Sequence, residues 1–118
     1  MTKTELETAS LNQALKLLPG GDLAIWLETK LEKDDFDKAC DYILETILSQ
    51  LILICDEKTQ AELNNFLEKD DFAGFFDILG NLLDPKNPQA PVFQYQIMDS
   101  LQLGFEVVVA QHNLDLNS

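Results

Sequence analysis

A chain of 118 residues, 46% hydrophobic and 25% charged, suits one globular domain that buries roughly two thirds of its unfolded surface without disulfide staples. Its charge is lopsided: 21 acidic residues face 8 basic ones, for a formal net charge of −13, and every basic residue is lysine. With no arginine to fork onto phosphate and no basic patch, direct binding to DNA, RNA or an anionic membrane surface is not expected, and a basic protein is the natural partner, although acidity also serves solubility by itself.

The first ten residues, MTKTELETAS, carry neither a basic flank nor an apolar run, so no secretory signal is expected. A helix is predicted from Glu5 to Leu18, capped by Thr4 with Glu7 or by Ser10 with Gln13. Its better apolar stripe is Leu11, Ala14, Leu15 and Leu18, so the first turns are expected to be exposed. Pro19-Gly20-Gly21 ends it. Asp22 is then a good N-cap for a short helix with Leu23, Trp26, Leu27 and Leu31 on one face, and the single Trp reads as a packing residue.

Asp35 to Cys55 reads as a central helix of about six turns. Apolar side chains surround most of it, leaving a thin polar stripe of Lys38, Asp41, Glu45, Ser49 and Asp56, interrupted by Ile52. Such a helix needs cover on several sides, which the other segments must supply. Cys40 and Cys55 would lie roughly 20 Å apart along this helix, so free, inert thiols and a reducing, cytoplasmic setting are expected. The longest uninterrupted apolar run, Leu51 to Cys55, is too short to span a membrane.

The hexapeptide LEKDDF occurs at Leu31 to Phe36 and again at Leu67 to Phe72, an offset of 36 residues. Each copy follows an apolar-faced helix and precedes another, which predicts a repeated helix-turn-helix unit. Asp34 or Asp35, and Asp70 or Asp71, are expected to cap the second helix of each unit, with the Phe anchoring the turn. The run Asp35-Phe36-Asp37-Lys38-Ala39 resembles part of a tetratricopeptide repeat over about a dozen residues. It departs from that family at Leu27 and Phe75, where small residues are favoured, and its period is not the family's roughly 34. We read this as a shared helical-hairpin solution without membership; the groove-type peptide binding that the resemblance implies is a weak pointer.

In the second unit Thr59 and Glu62 form a T-x-x-E capping signal for a helix presenting Leu63, Phe66 and Leu67. A helix from about Asp70 to Leu83 follows, with Phe72, Phe75, Phe76, Leu79 and Leu83 in one stripe. Gly74 inside it points to a close helix contact. Three prolines, Pro85, Pro88 and Pro91, then predict an extended hinge. From Val92 to about Gln111 the pattern suits a helix through Ile97, Leu101, Phe105 and Val108; strands also fit Phe93, Tyr95 and Ile97, but no partner strand is evident. The expected fold is all-α: a small bundle of about six helices, built from two hairpin units plus a C-terminal helix. Its parts are a five-helix core over 1–84, a hinge over 85–91, the helix over 92–111 and a loose tail over 112–118.

The chain shows no glycine-rich phosphate loop, no H-E-x-x-H motif, no Cys/His metal spacing and no nucleophile elbow. Its one histidine, His112, lies in the tail. The acidic cluster at Asp34 to Asp41 lacks the spacing of a calcium loop. We therefore expect no enzyme, no cofactor and no metal. The first functional reading is a small acidic intracellular protein that blocks or chaperones a basic partner, as inhibitors, immunity proteins and nucleic-acid mimics do. Its candidate binding face is Asp34, Asp35, Asp37, Asp41, Asp70, Asp71 and Asp77. The alternative is a helical adaptor or assembly subunit that holds a partner helix, or forms a homo-oligomer, through apolar surface in the C-terminal element.

Overall fold

A computed structural model describes residues 10–69 and 71–115. These residues form six helices and no strand: α1 (Leu11–Leu17), α2 (Asp22–Lys30), α3 (Lys33–Ile52), α4 (Glu57–Glu68), α5 (Phe72–Leu82) and α6 (Ala90–His112). The predicted turns over Glu5 to Ala9, and their Thr4–Glu7 cap, lie outside the described residues. Ser10 does cap α1, its hydroxyl accepting from Gln13 N at 3.5 Å. The break after α1 uses Gly20 at φ 84°, which suits glycine. Gly21, not Asp22, is the N-cap of α2; helical pairing already starts at its carbonyl, and Asp22 falls in the first turn, where its charge still favours the N-terminus.

The central helix is slightly offset from its expected span. It starts at Lys33 and ends at Ile52, because Leu53 and Ile54 close tight turns onto the carbonyls of Gln50 and Leu51. Cys55 therefore sits in a corner rather than on the helix. Gln60 secures that corner from α4, its amide donating to the carbonyls of Ile52 at 2.5 Å and Cys55 at 2.9 Å. Asp56 caps α4 by accepting from Thr59 N at 2.8 Å, so Thr59 is the recipient of the cap rather than the cap itself. An extended Asp56 places the helix start three residues earlier than the T-x-x-E signal does.

The proline-rich segment is not extended. Asp84 accepts from Lys86 N at 2.9 Å, Asn87 accepts from Gln89 N at 3.0 Å, and the Asn87 amide donates to the Leu82 carbonyl at 3.0 Å. These side-chain bonds fold it into successive turns, and α6 begins at Ala90 with Pro91 in its first turn. At the other end His112 is still helical. Asn113 takes the left-handed conformation at φ 52°, and Leu114 N returns to the Val109 carbonyl at 3.0 Å, a stop that lays Leu114 on the core. Residues 116–118 lie outside the described ones.

The most extensive helix pairing joins α3 and α6. They run antiparallel: Phe93 shares a cleft with Ile54 and Cys55, while Gly104 further along α6 meets Ile43 further back on α3. Small residues permit this approach. A β-carbon on Gly104 would stand 3.1 Å from Ile43 Cγ1 and 3.2 Å from its Cα, and Ser100, one turn earlier, is buried with its hydroxyl donating to the Gln96 carbonyl at 2.7 Å. The opposite side of the pair, carrying Cys40, Leu44, Ile47, Leu101, Phe105 and Val108, is buried in the core cluster. Leu15 and Leu27 from the first hairpin and Leu63, Phe75 and Phe76 from the second complete that cluster. Each such side chain, fully buried, contributes about 1.5–3 kcal/mol. Trp26 packs its edge on Phe105 at 5.6 Å between centroids, as a packing residue should.

Candidate functional site

The two LEKDDF copies have the same residues and different structures. In the first, Leu31 and Glu32 are extended and α3 starts at Lys33. Asp34 and Asp35 consequently fall inside the first turn, and neither caps the helix; Glu32 holds the N-cap position without a side-chain bond. Phe36 is buried and anchors the turn, as expected. In the second copy α4 continues through Glu68, and α5 starts only at Phe72. Here Asp71 does cap, accepting from Gly74 N at 3.1 Å. Asp70 lies outside the described residues.

Among the candidate acidic residues, Asp34, Asp41 and Asp71 are exposed, whereas Asp35, Asp37 and Asp77 are half-buried. Asp37 is engaged within the fold, accepting from the Asn12 amide of α1 at 2.7 Å. Beside it Lys16 pairs with Glu28 at 2.8 Å and lies 6.0 Å from the Phe36 ring centroid, so α1, α2 and α3 meet through a polar seam. A hollow of about 310 Å³ opens there, lined by Asn12, Glu28, Leu31, Lys33 and Phe36. Burial, then the charges of Asp37 and Asp41, pushes the Cys40 thiol up to about 12. Cys40 is thus a buried thiol that keeps its proton well above neutral pH.

No protein-family model, curated protein or solved structure matches the chain. The geometry alone therefore has to carry a functional reading.

A larger cleft of about 480 Å³ lies where the corner after α3 meets the start of α6, with Cys55, Asp56, Thr59 and Asn87 in its walls. Burial and then the Asp56 charge raise the Cys55 thiol, while hydrogen bonds from Thr59 hold the Asp56 carboxyl below its ordinary value. Among the described residues no three His, Cys, Asp or Glu side chains gather closely enough to hold a metal ion. No helix among them is long and apolar enough to cross a membrane.

A second surface is apolar rather than acidic. Tyr42, Leu103 and Val107, outside the predicted core stripes, are large apolar side chains that are 39%, 45% and 38% exposed. All three flank the contact between Ile43 and Gly104, on the side of the α3–α6 pair away from the core. A signal was present for Tyr42, whose helical neighbours Lys38, Asp41 and Glu45 are all charged.

Proposed function

We propose that this is a small acidic binding protein that docks on a basic partner protein and blocks or chaperones it, with no catalysis of its own. The observation that carries the reading is the acidic excess, 21 carboxylates against 8 lysines, with much of it on exposed helix surface. Asp34, Asp41 and Asp71 are exposed, and α5 and α6 hold Asp77, Asp99 and Glu106 with no lysine at all. Carboxylates fixed on rigid helices imitate phosphates and raise the rate of encounter with a positive partner. The two cysteines, free and with raised pKa values, suit a cytoplasmic protein.

The test is a pull-down of the tagged protein from its native cell extract, washed in parallel at low and high salt. A basic protein kept at low salt and shed at high salt is the expected result. A partner that resists high salt would overturn the reading in favour of an apolar adaptor. Replacing Asp34, Asp35, Asp70 and Asp71 with Asn removes four charges and should weaken capture while helical content, read by circular dichroism, stays.

A further inference from the structure

Among the described residues the α3–α6 pair has one face in the core and one face partly exposed to solvent. Register follows from Gly104 against Ile43: in an antiparallel pair the residues one before and three after each contact point share a side. Tyr42 and Thr46 on α3 and Leu103 and Val107 on α6 thus lie on one outer face. Val92, 59% exposed, lies on the same side of α6 nearer its N-terminus, with the polar Gln96 and Asp99 between it and Leu103. From Val92 to Val107 this side of α6 runs about 22 Å, the length of a helix of about four turns, apolar at Leu103 and Val107 and at Val92 with polar residues between.

Charge says what suits this face. Asp99 and Glu106 lie one helical turn from Leu103 along α6, and Asp41 and Glu45 border Tyr42 along α3, all exposed, against the single lysine Lys38. A second copy would bring the same carboxylates and a further charge of −13 to the interface, which opposes self-docking. A helix with apolar residues on one face and lysine or arginine at its edges satisfies both the outer face and its rim. We propose that the outer face of α3 and α6 is a docking site for a basic amphipathic helix of the partner protein. This rests on the basic-partner reading and deepens it: the partner offers a helix, and apolar contact adds to charge.

The probe is a fluorescein-labelled 18-residue peptide of leucine and lysine at amphipathic helical spacing, compared by fluorescence anisotropy with a scrambled peptide of the same composition. The expected result is roughly tenfold tighter binding of the amphipathic peptide at about 150 mM salt. The double variant Leu103→Ser, Val107→Ser should lose about that factor, as should Tyr42→Ser on the other helix, while Ile25→Ser, an exposed site on α2, should bind as wild type. Asp99→Asn with Glu106→Gln should flatten the salt dependence. Circular dichroism verifies that each variant keeps its helices. Equal binding of both peptides, or front-face variants that bind like wild type, would overturn the docking face but leave the basic-partner reading standing. Failure of wild type to bind either peptide at low salt would overturn both. A wild-type dimer in sedimentation that Leu103→Ser, Val107→Ser dissolves would assign the face to a second copy instead.

Discussion

The ring of Phe66 on α4 lies over Gly74 on α5, in the space a side chain there would fill. A β-carbon at residue 74 would stand 2.5 Å from Phe66 Cε1 and 2.8 Å from the Asp71 carboxylate that caps the helix. The second hairpin closes through this contact. Helix propensity alone favours Gly74→Ala by about 1 kcal/mol, but overpacking costs about 1–3 kcal/mol and disturbs the cap. We predict that Gly74→Ala lowers stability by about 1 kcal/mol in urea unfolding, and that adding Phe66→Leu recovers part of the loss. A stabilised single variant would sink the idea.

Gly104 sets the spacing of α3 and α6 in a less forgiving way, since one of its neighbours is the Ile43 Cα at 3.2 Å. Backbone cannot swing aside as a side chain can. Gly104→Ala should therefore cost about 1 kcal/mol or more despite its better propensity, and Gly104→Val more still. Ile43→Val should not rescue it, because valine keeps the Cα and both Cγ positions. Denaturant midpoints of the four proteins decide this.

The two thiols should differ in reach. Cys40 is fully buried and pushed up to about 12, whereas Cys55 is half-buried in the corner before α4. Iodoacetamide near neutral pH should modify Cys55 slowly and Cys40 only on global unfolding, as peptide mass mapping would show. Early labelling of Cys40 would contradict the packing of α3.

Cys40 also links stability to alkaline pH. Unfolded, the thiol ionises near its ordinary 9.0; folded, it holds its proton to about 12. Its contribution is whole below pH 9.0 and is lost as pH climbs toward about 12. Between about pH 8 and about pH 10.5, wild type should lose more stability in urea titrations than Cys40→Ala does.

Asp56 works in the opposite direction. Its carboxyl is held below the ordinary 3.8 by Thr59, so the cap stabilises the fold above that pH and fades as pH falls through the lowered value. Asp56→Asn keeps an accepting oxygen and should lose the acid dependence while retaining most of the neutral-pH melting temperature. Asp56→Ala should lose both. Thermal melts from neutral to acid pH separate the two outcomes.

Periodicity made most of the architecture legible. The stripes through Leu15, Leu27, Leu63, Phe76, Ile97 and Leu101 lead to the core, and Gly74 announced its close contact. Helix starts were harder to read. Gly21, itself in helical conformation, takes the cap position beside Asp22, and Glu32, two residues before Asp34, is the one that turns extended, between Leu31 and Phe36 on the core. The proline segment misled because Asp84 and Asn87 side chains, rather than backbone stiffness, decide its path. The acidity of the candidate site was plain in composition. Its apolar half was not: Leu103 and Val107 carry the same signal as Leu101 and Val108, and only the partner helix determines which pair is covered.

The two LEKDDF hexapeptides begin their helices three positions apart, at Lys33 and at Phe72. Exchanging them would alter nothing, because they are identical. The instruction for where each helix starts must then be written in the neighbours, with Gly74 under Phe66 in one hairpin and Lys38 at the corresponding place in the other. Anyone aligning the halves by their shared letters would superpose the words correctly and displace one helix by nearly a full turn.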